Sequence, residues 1–158
     1  MPDELHFRNV MSHLATGVTV VASRQRTGDP CGLTANAVAS VSLDPPMILV
    51  CVDLGSRTLG CLRESGVFAI SVLSAGEERV ARRFAVEEPS LRFEGVSFRD
   101  EATGAPVLDS ALAWLDCRVR DVHEAGDHAI VVGDVVACAA RDGDPLLFFR
   151  GAYRTGIA

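Results

Sequence analysis

Between two strand-like runs the chain places Cys31-Gly32-Leu33-Thr34-Ala35-Asn36-Ala37-Val38-Ala39-Ser40-Val41-Ser42-Leu43-Asp44-Pro45-Pro46, followed at once by the apolar run Met47-Ile48-Leu49-Val50-Cys51-Val52. The stretch sets small hydroxyl and amide side chains, and backbone that a ligand can approach closely, between the two strand-like runs. Such a surface suits a flat molecule with a hydrogen-bonding edge.

The rest of the chain repeats the strand theme. Phe7, Val10, Met11 and Leu14 fall at i, i+3, i+4 and i+7, which predicts a short amphipathic helix closed by Gly17. Residues 17–23 are β-branched, and Thr27-Gly28-Asp29-Pro30 is a turn, so residues 17–23 and 32–42 are expected to form a hairpin. Buried strands are expected at 47–53 and 67–73. Between them lies a helix with Ser56 as N-cap and Gly66 as C-cap. A second helix is expected over 76–85, with Val80 and Phe84 on one face, followed by a loop-rich stretch over 90–108. Strands at 111–122, 127–140 and 146–149 complete the reading. The first two are joined around Glu124-Ala125-Gly126. Short connections favour an antiparallel barrel over a parallel sheet with crossover helices.

With 158 residues, 48% of them hydrophobic, and neither repeats nor low-complexity linkers, residues 1–158 read as one domain with its own core. All fifteen basic residues are Arg, and the net charge of −6 argues against nucleic acid or an anionic membrane as partner. No apolar run approaches the ~20 residues of a membrane span, and the start Met1-Pro2-Asp3-Glu4 is acidic where a signal peptide is basic, so a cytoplasmic location is expected. Cys31, Cys51, Cys61, Cys117 and Cys138 form no C-x-x-C pair. They read as reduced, buried thiols, neither disulfide framework nor metal site.

Seven blocks in order carry a resemblance. They are Gly17-Val18-Thr19-Val20-Val21, Gly32-Leu33-Thr34-Ala35-Asn36, residues 40–46, Ser56-x-Thr58, residues 66–73, residues 126–133 (Gly-Asp-His-Ala-Ile-Val-Val-Gly) and Pro145-Leu146-Leu147-Phe148-Phe149. Together they resemble the flavin reductase-like family, which includes the small reductase components of two-component flavin-dependent monooxygenases. The resemblance implies a mainly β, antiparallel, Greek-key-like FMN-binding split β-barrel with short helices. It also implies a homodimer that binds FMN or FAD and reduces it with NADH or NADPH for a separate monooxygenase.

Carried over by position, the resemblance assigns flavin contacts to Thr34, Ala35, Asn36, Ser40, Val41, Ser42, Cys51, Asp53, Ser56, Arg57, Thr58, Phe84, Ala85 and Arg92. The chemistry of these residues agrees. Thr34 to Asn36 and Ser40 to Ser42 offer donors and acceptors to the ring's polar edge. Ser56, Arg57 and Thr58 open a helix, whose free N–H groups and positive dipole end suit a phosphate, with Arg92 as a second phosphate partner. His128 in the Gly-Asp-His block is expected on the nicotinamide side, orienting the carboxamide or relaying a proton. Tyr153 is expected close to the nicotinamide, or else packing the C-terminal strand, and Trp114 belongs to core or dimer packing. There is no G-x-G-x-x-G fingerprint, so the nicotinamide nucleotide needs a shallow groove over the flavin instead of a Rossmann site. Two other readings use the same barrel: a non-enzymatic electron carrier or sensor, and a dimerising module with an empty site.

Overall fold

The structure, a computed structural model, describes residues 1–156. Helix α1 spans Glu4–Met11, with Asp3 accepting a hydrogen bond from the His6 N–H as its N-cap. Strands β1 (Thr16–Gly17), β2 (Thr19–Arg24), β3 (Pro30–Ala35), β4 (Val38–Leu43) and β5 (Pro46–Asp53) follow. Then come α2 (Arg57–Ser65), β6 (Val67–Val72), α3 (Glu78–Val86) and a 3-10 turn at Pro89–Leu91. Strands β7 (Phe98–Asp100), β8 (Pro106–Leu108), β9 (Ala113–Ala125), β10 (His128–Ala140), β11 (Leu147–Phe149) and β12 (Ala152–Arg154) close the chain.

Seven strands form one antiparallel sheet in the order β3-β2-β6-β9-β10-β5-β4. Its two end strands are consecutive in sequence, joined at Asn36-Ala37, so the sheet must curl to bring its ends together. The Cys51 N–H donates to the Ala37 carbonyl at 3.0 Å across that junction. This is the open-sided antiparallel barrel the sequence leads one to expect.

Strand β2 is buried on both faces. Val21 points into the barrel core with Val50, Phe68, Ile70 and Val131, which α2 plugs with Leu59 and Leu62. Val20 and Ala22 point the other way, into a second cluster with Leu73, Phe84, Leu108 and Leu146. Burial of these side chains, at about 1.5–3 kcal/mol each, is what holds α3 and the β7–β8 hairpin against the barrel. Trp114 packs at the edge of that cluster, with the Arg99 guanidinium 5.6 Å from its ring centre.

The structure departs from the sequence expectations at four places. Helix α1 ends at Met11, capped by Ser12, well before Gly17, and its apolar stripe is uncovered: Phe7, Val10, Met11 and Leu14 are all exposed. Residues 17–23 are not one strand. Thr16–Gly17 pairs with β11, Thr19–Arg24 joins the large sheet, and Val18 is the switch between sheets. Residues 32–42 divide at Asn36-Ala37 into β3 and β4. Cys31 and Cys61, read as separate reduced thiols, are joined as a disulfide, because α2 packs against β3 and turns the two side chains toward each other. Cys51, Cys117 and Cys138 are free.

Candidate functional site

Ser56 caps α2 as expected, accepting from the Thr58 N–H at 3.1 Å, and Gly66 ends the helix in the left-handed conformation at φ 69°. The chain enters α2 through a tight turn in which Asp53 Oδ1 accepts from the Gly55 N–H at 2.7 Å and the Asp53 carbonyl accepts from the Ser56 N–H at 3.0 Å. Two layers face this turn. On one side, β3 is tied to α3 by the Thr34 hydroxyl, which donates to the Ala81 carbonyl at 2.6 Å. On the other, the Arg92 guanidinium donates from Nε to the Glu87 carbonyl at 3.0 Å and from Nη1 to the Gly32 carbonyl at 2.8 Å. Burial lowers the Arg92 pKa and nearby Glu88 opposes the shift, yet a guanidinium stays charged at any working pH.

These pieces enclose a cleft of about 420 Å³ lined by Leu33, Thr34, Asp53, Gly55, Ser56, Arg57, Phe84, Ala85, Pro89 and Arg92. Two arginines and a helix N-terminus make it an anion site. Its one carboxylate, Asp53, is engaged with the Gly55 N–H. Phe84 forms the floor, fully buried and set edge-on to Phe93 with ring centres 4.8 Å apart. Glycine is required at 32. A Cβ there would lie 2.9 Å from the Val21 carbonyl and 3.2 Å from both the Phe84 and Phe93 rings.

Thr34 also lines a small pocket of about 110 Å³ with Val18, Asn36, Phe148 and Tyr153. Asn36 in turn lines a second cleft of about 430 Å³ with Met11, Leu14, Thr16, Ala37, Val38, Ala39, Leu49 and Cys51. Thr34 lines the first two of these spaces and Asn36 the last two, so the three form a trough, with two arginines and the α2 N-terminus at one end and a largely apolar lining at the other. In the middle, Tyr153 stands edge-on to Phe148, ring centres 5.4 Å apart, beneath the Arg82 guanidinium at 5.0 Å. Burial raises the Tyr153 pKa, while Arg82 pulls it down and Glu78 pushes it up.

His128 opens β10 directly opposite Asp53 of β5, and the Leu54 N–H donates to the Asp127 carbonyl at 3.0 Å, so the histidine stands beside the mouth of the anion cleft. Its Nδ1 meets Asp127 Oδ1 at 2.7 Å, which fixes the ring and leaves Nε2 for another partner. The hydrogen bond from His128, followed by its charge, holds the Asp127 carboxyl below the usual carboxylate range.

The trough therefore gathers Thr34, Asn36, Cys51, Asp53, Ser56, Arg57, Phe84, Ala85, Arg92 and Tyr153, with His128 at its rim. Thr58 is elsewhere: it is buried under the first turn of α2 and does not line the cleft. Ala35 faces the barrel core, with its carbonyl taken by the Thr19 hydroxyl at 2.7 Å. Ser40, Val41 and Ser42 lie on edge strand β4, around an irregularity in its pairing with β5, and line none of the three spaces. Among the lining residues that sequence reasoning did not assign to the site are Gly55, Pro89, Thr16, Leu49 and Phe148. Thr16 had a legible signal, since it immediately precedes the first of the seven blocks.

Residues 11–156 match the flavin reductase like domain family. A probable flavin reductase of Rhizobium meliloti is 41% identical over 155 residues, covering 97% of this chain, which spans only 49% of that protein's length. The reductase subunit HsaB of a flavin-dependent monooxygenase from Rhodococcus jostii is 35% identical over 156 residues, covering 98% of this chain and 78% of its own. Among solved structures, the NADH:FAD oxidoreductase SgcE6 of Streptomyces globisporus, in complex with NAD and FAD fragments, superimposes with a TM-score of 0.89. The two share 36% identity over 96% of this chain and 92% of that one. The family match takes in every residue named as lining the trough, Met11 to Tyr153, and the chain belongs to the flavin reductase-like family.

Proposed function

We propose that this protein is an NAD(P)H-dependent flavin reductase that supplies reduced FMN or FAD to a separate flavin-dependent monooxygenase. The observation that carries the reading is the trough. Its positive end, at the α2 N-terminus with Arg57 and Arg92, is linked through the shared residues Thr34 and Asn36 to a largely apolar space of about 430 Å³. The residues present fit a flavin, whose phosphate matches the first end and whose ring matches the second. Bound flavin supplies the hydride acceptor for a reduced nicotinamide.

The chain's own part is to bind and orient. Ser56, Arg57 and Arg92 hold the phosphate, Asn36 offers an amide to the ring edge, and Cys51 and Leu49 give its faces apolar contact. His128, its ring fixed by Asp127, orients the nicotinamide carboxamide through Nε2, and Tyr153 borders the nicotinamide seat. Hydride transfer needs no nucleophile or general base, so no single side chain is expected to be indispensable.

The uncovered α1 stripe of Phe7, Val10, Met11 and Leu14, with Met11 and Leu14 lining the apolar cleft, supports a homodimer in which a second copy covers that cleft. No helix among the described residues is long and apolar enough to cross a membrane. The test is anaerobic stopped-flow mixing of the flavin-loaded protein with NADH or NADPH. Rapid bleaching of the flavin band near 450 nm supports the reading. Flavin binding without bleaching by either nucleotide replaces it with an electron carrier or sensor.

A further inference from the structure

The reading above leaves the diphosphate of the nicotinamide nucleotide without a seat, and one feature of the structure is shaped for it. Helix α3 carries Arg79, Arg82 and Arg83 at i, i+3 and i+4, which places the three on one face. They line a surface groove of about 420 Å³ that runs along α3, on the far side of the helix from Phe84. Against the carboxylates of Glu78 and Glu87, the three guanidinium groups leave this face one positive charge in excess in a chain of net charge −6.

The three are unequally engaged. Arg82 is pinned by Glu78, with Nε and Nη2 donating to Oε1 at 2.9 and 2.6 Å, and from there it lies 5.0 Å over the Tyr153 ring centre. Arg83 donates one hydrogen bond to the Glu94 carbonyl. Arg79 has no ion pair or hydrogen bond among the described residues. Of the acidic side chains lining the groove, Glu78 is satisfied by Arg82, leaving Glu87 as the one carboxylate at its end. Two cations with free donors, Arg79 one helical turn before Arg82 and Arg83 next to it, thus flank a third that lies over the aromatic residue bordering the nicotinamide seat.

We propose that this arginine face binds the diphosphate of the nicotinamide dinucleotide, with Arg79 and Arg83 as the diphosphate ligands and Arg82 as a positioning residue that holds Tyr153. The inference rests on the reductase reading. It explains how a barrel without a Rossmann turn takes hold of a dinucleotide: the anionic middle lies on α3 and the nicotinamide reaches past Tyr153 into the trough. FAD also carries a diphosphate, so FMN, which has none, separates the two sources.

The experiment measures NADH oxidation with FMN as acceptor in wild type, Arg79→Gln, Arg79→Lys and the double variant Arg79→Gln/Arg83→Gln, alongside FMN and FAD affinities. The single variants touch no internal contact, which keeps the test clear of folding defects. The expected result is a KM for NADH raised about tenfold in the double variant and severalfold in Arg79→Gln, as for loss of charge-assisted hydrogen bonds. Arg79→Lys keeps most of the wild-type value, FMN affinity and kcat stay unchanged, and the KM difference shrinks as salt rises. An unchanged KM, or a loss confined to FAD affinity, overturns the assignment. A wild type that oxidises no NADH overturns the reductase reading itself.

Discussion

Replacing Arg92 by Ala tests the anion end of the trough. In the structure its guanidinium is half-buried. Nε and Nη1 are committed to the Glu87 and Gly32 carbonyls, and Nη2 has no partner among the described residues. A charge-assisted hydrogen bond from that remaining group to a phosphate is worth about 1.5–3 kcal/mol, and the exposure of the site selects the lower end. A loss of about 1.5 kcal/mol corresponds to a dissociation constant for FMN raised roughly tenfold. Arg92→Lys keeps the charge, but one ammonium cannot reach both carbonyls and a ligand, so a rise of about threefold is expected. The two abandoned carbonyls give a separate signal, a fall of about 2–4 °C in the Tm of the ligand-free protein per kcal/mol lost. Fluorescence-quench titration of FMN at low and high salt reads the first effect, and thermal unfolding without flavin the second. An Arg92→Ala protein that binds FMN within twofold of wild type at low salt would refute the placement of phosphate here.

Three further outcomes follow from the geometry. Gly32→Ala drives a methyl group against the Val21 carbonyl and between the Phe84 and Phe93 rings, so it is expected to cost about 1–3 kcal/mol in chemical denaturation and to weaken FMN binding as well; wild-type values for both would contradict the close packing. His128→Ala removes one hydrogen bond to the nicotinamide, about 1 kcal/mol, and is expected to lower kcat/KM for NADH roughly fivefold with FMN affinity intact, a pattern steady-state kinetics and titration can check. The buried Cys117 thiol is pushed up to about 12, first by burial and then by the Asp116 charge. Its folded value lies above that of a free thiol, so the stability from burying the neutral form is present below the free-thiol value and is lost as pH rises toward 12. At pH 8 a thiol reagent should therefore label exposed Cys138 and leave Cys117 untouched until the protein unfolds.

Where the determining interactions are local, the sequence was a good guide. Ser56 and Gly66 delimit α2 because capping is decided within one helical turn, and Gly28 and Gly126 mark their hairpin turns because each adopts a positive φ. The placement of Ser56 and Arg57 at the start of α2, where both line the cleft, was legible for the same reason. What escaped depends on packing between distant elements. Thr58 follows the cap like a ligand-facing residue, yet the roll of α2 against the barrel turns it inward. Thr34 reads as a free hydroxyl until α3 arrives to accept from it through the Ala81 carbonyl. The apolar stripe of α1 predicts a helix correctly but not that none of the described residues covers it. The Arg82 face becomes meaningful only when β12 brings Tyr153 beneath it.

Whether the trough turns over flavin with electrons from a nicotinamide is read by anaerobic oxidation of NADH and NADPH, followed at 340 nm with FMN, FAD or no added flavin. Many turnovers of at least one nucleotide in the presence of free flavin, and few in its absence, are the predicted result. No oxidation with any pairing, by protein that demonstrably binds flavin, would contradict it.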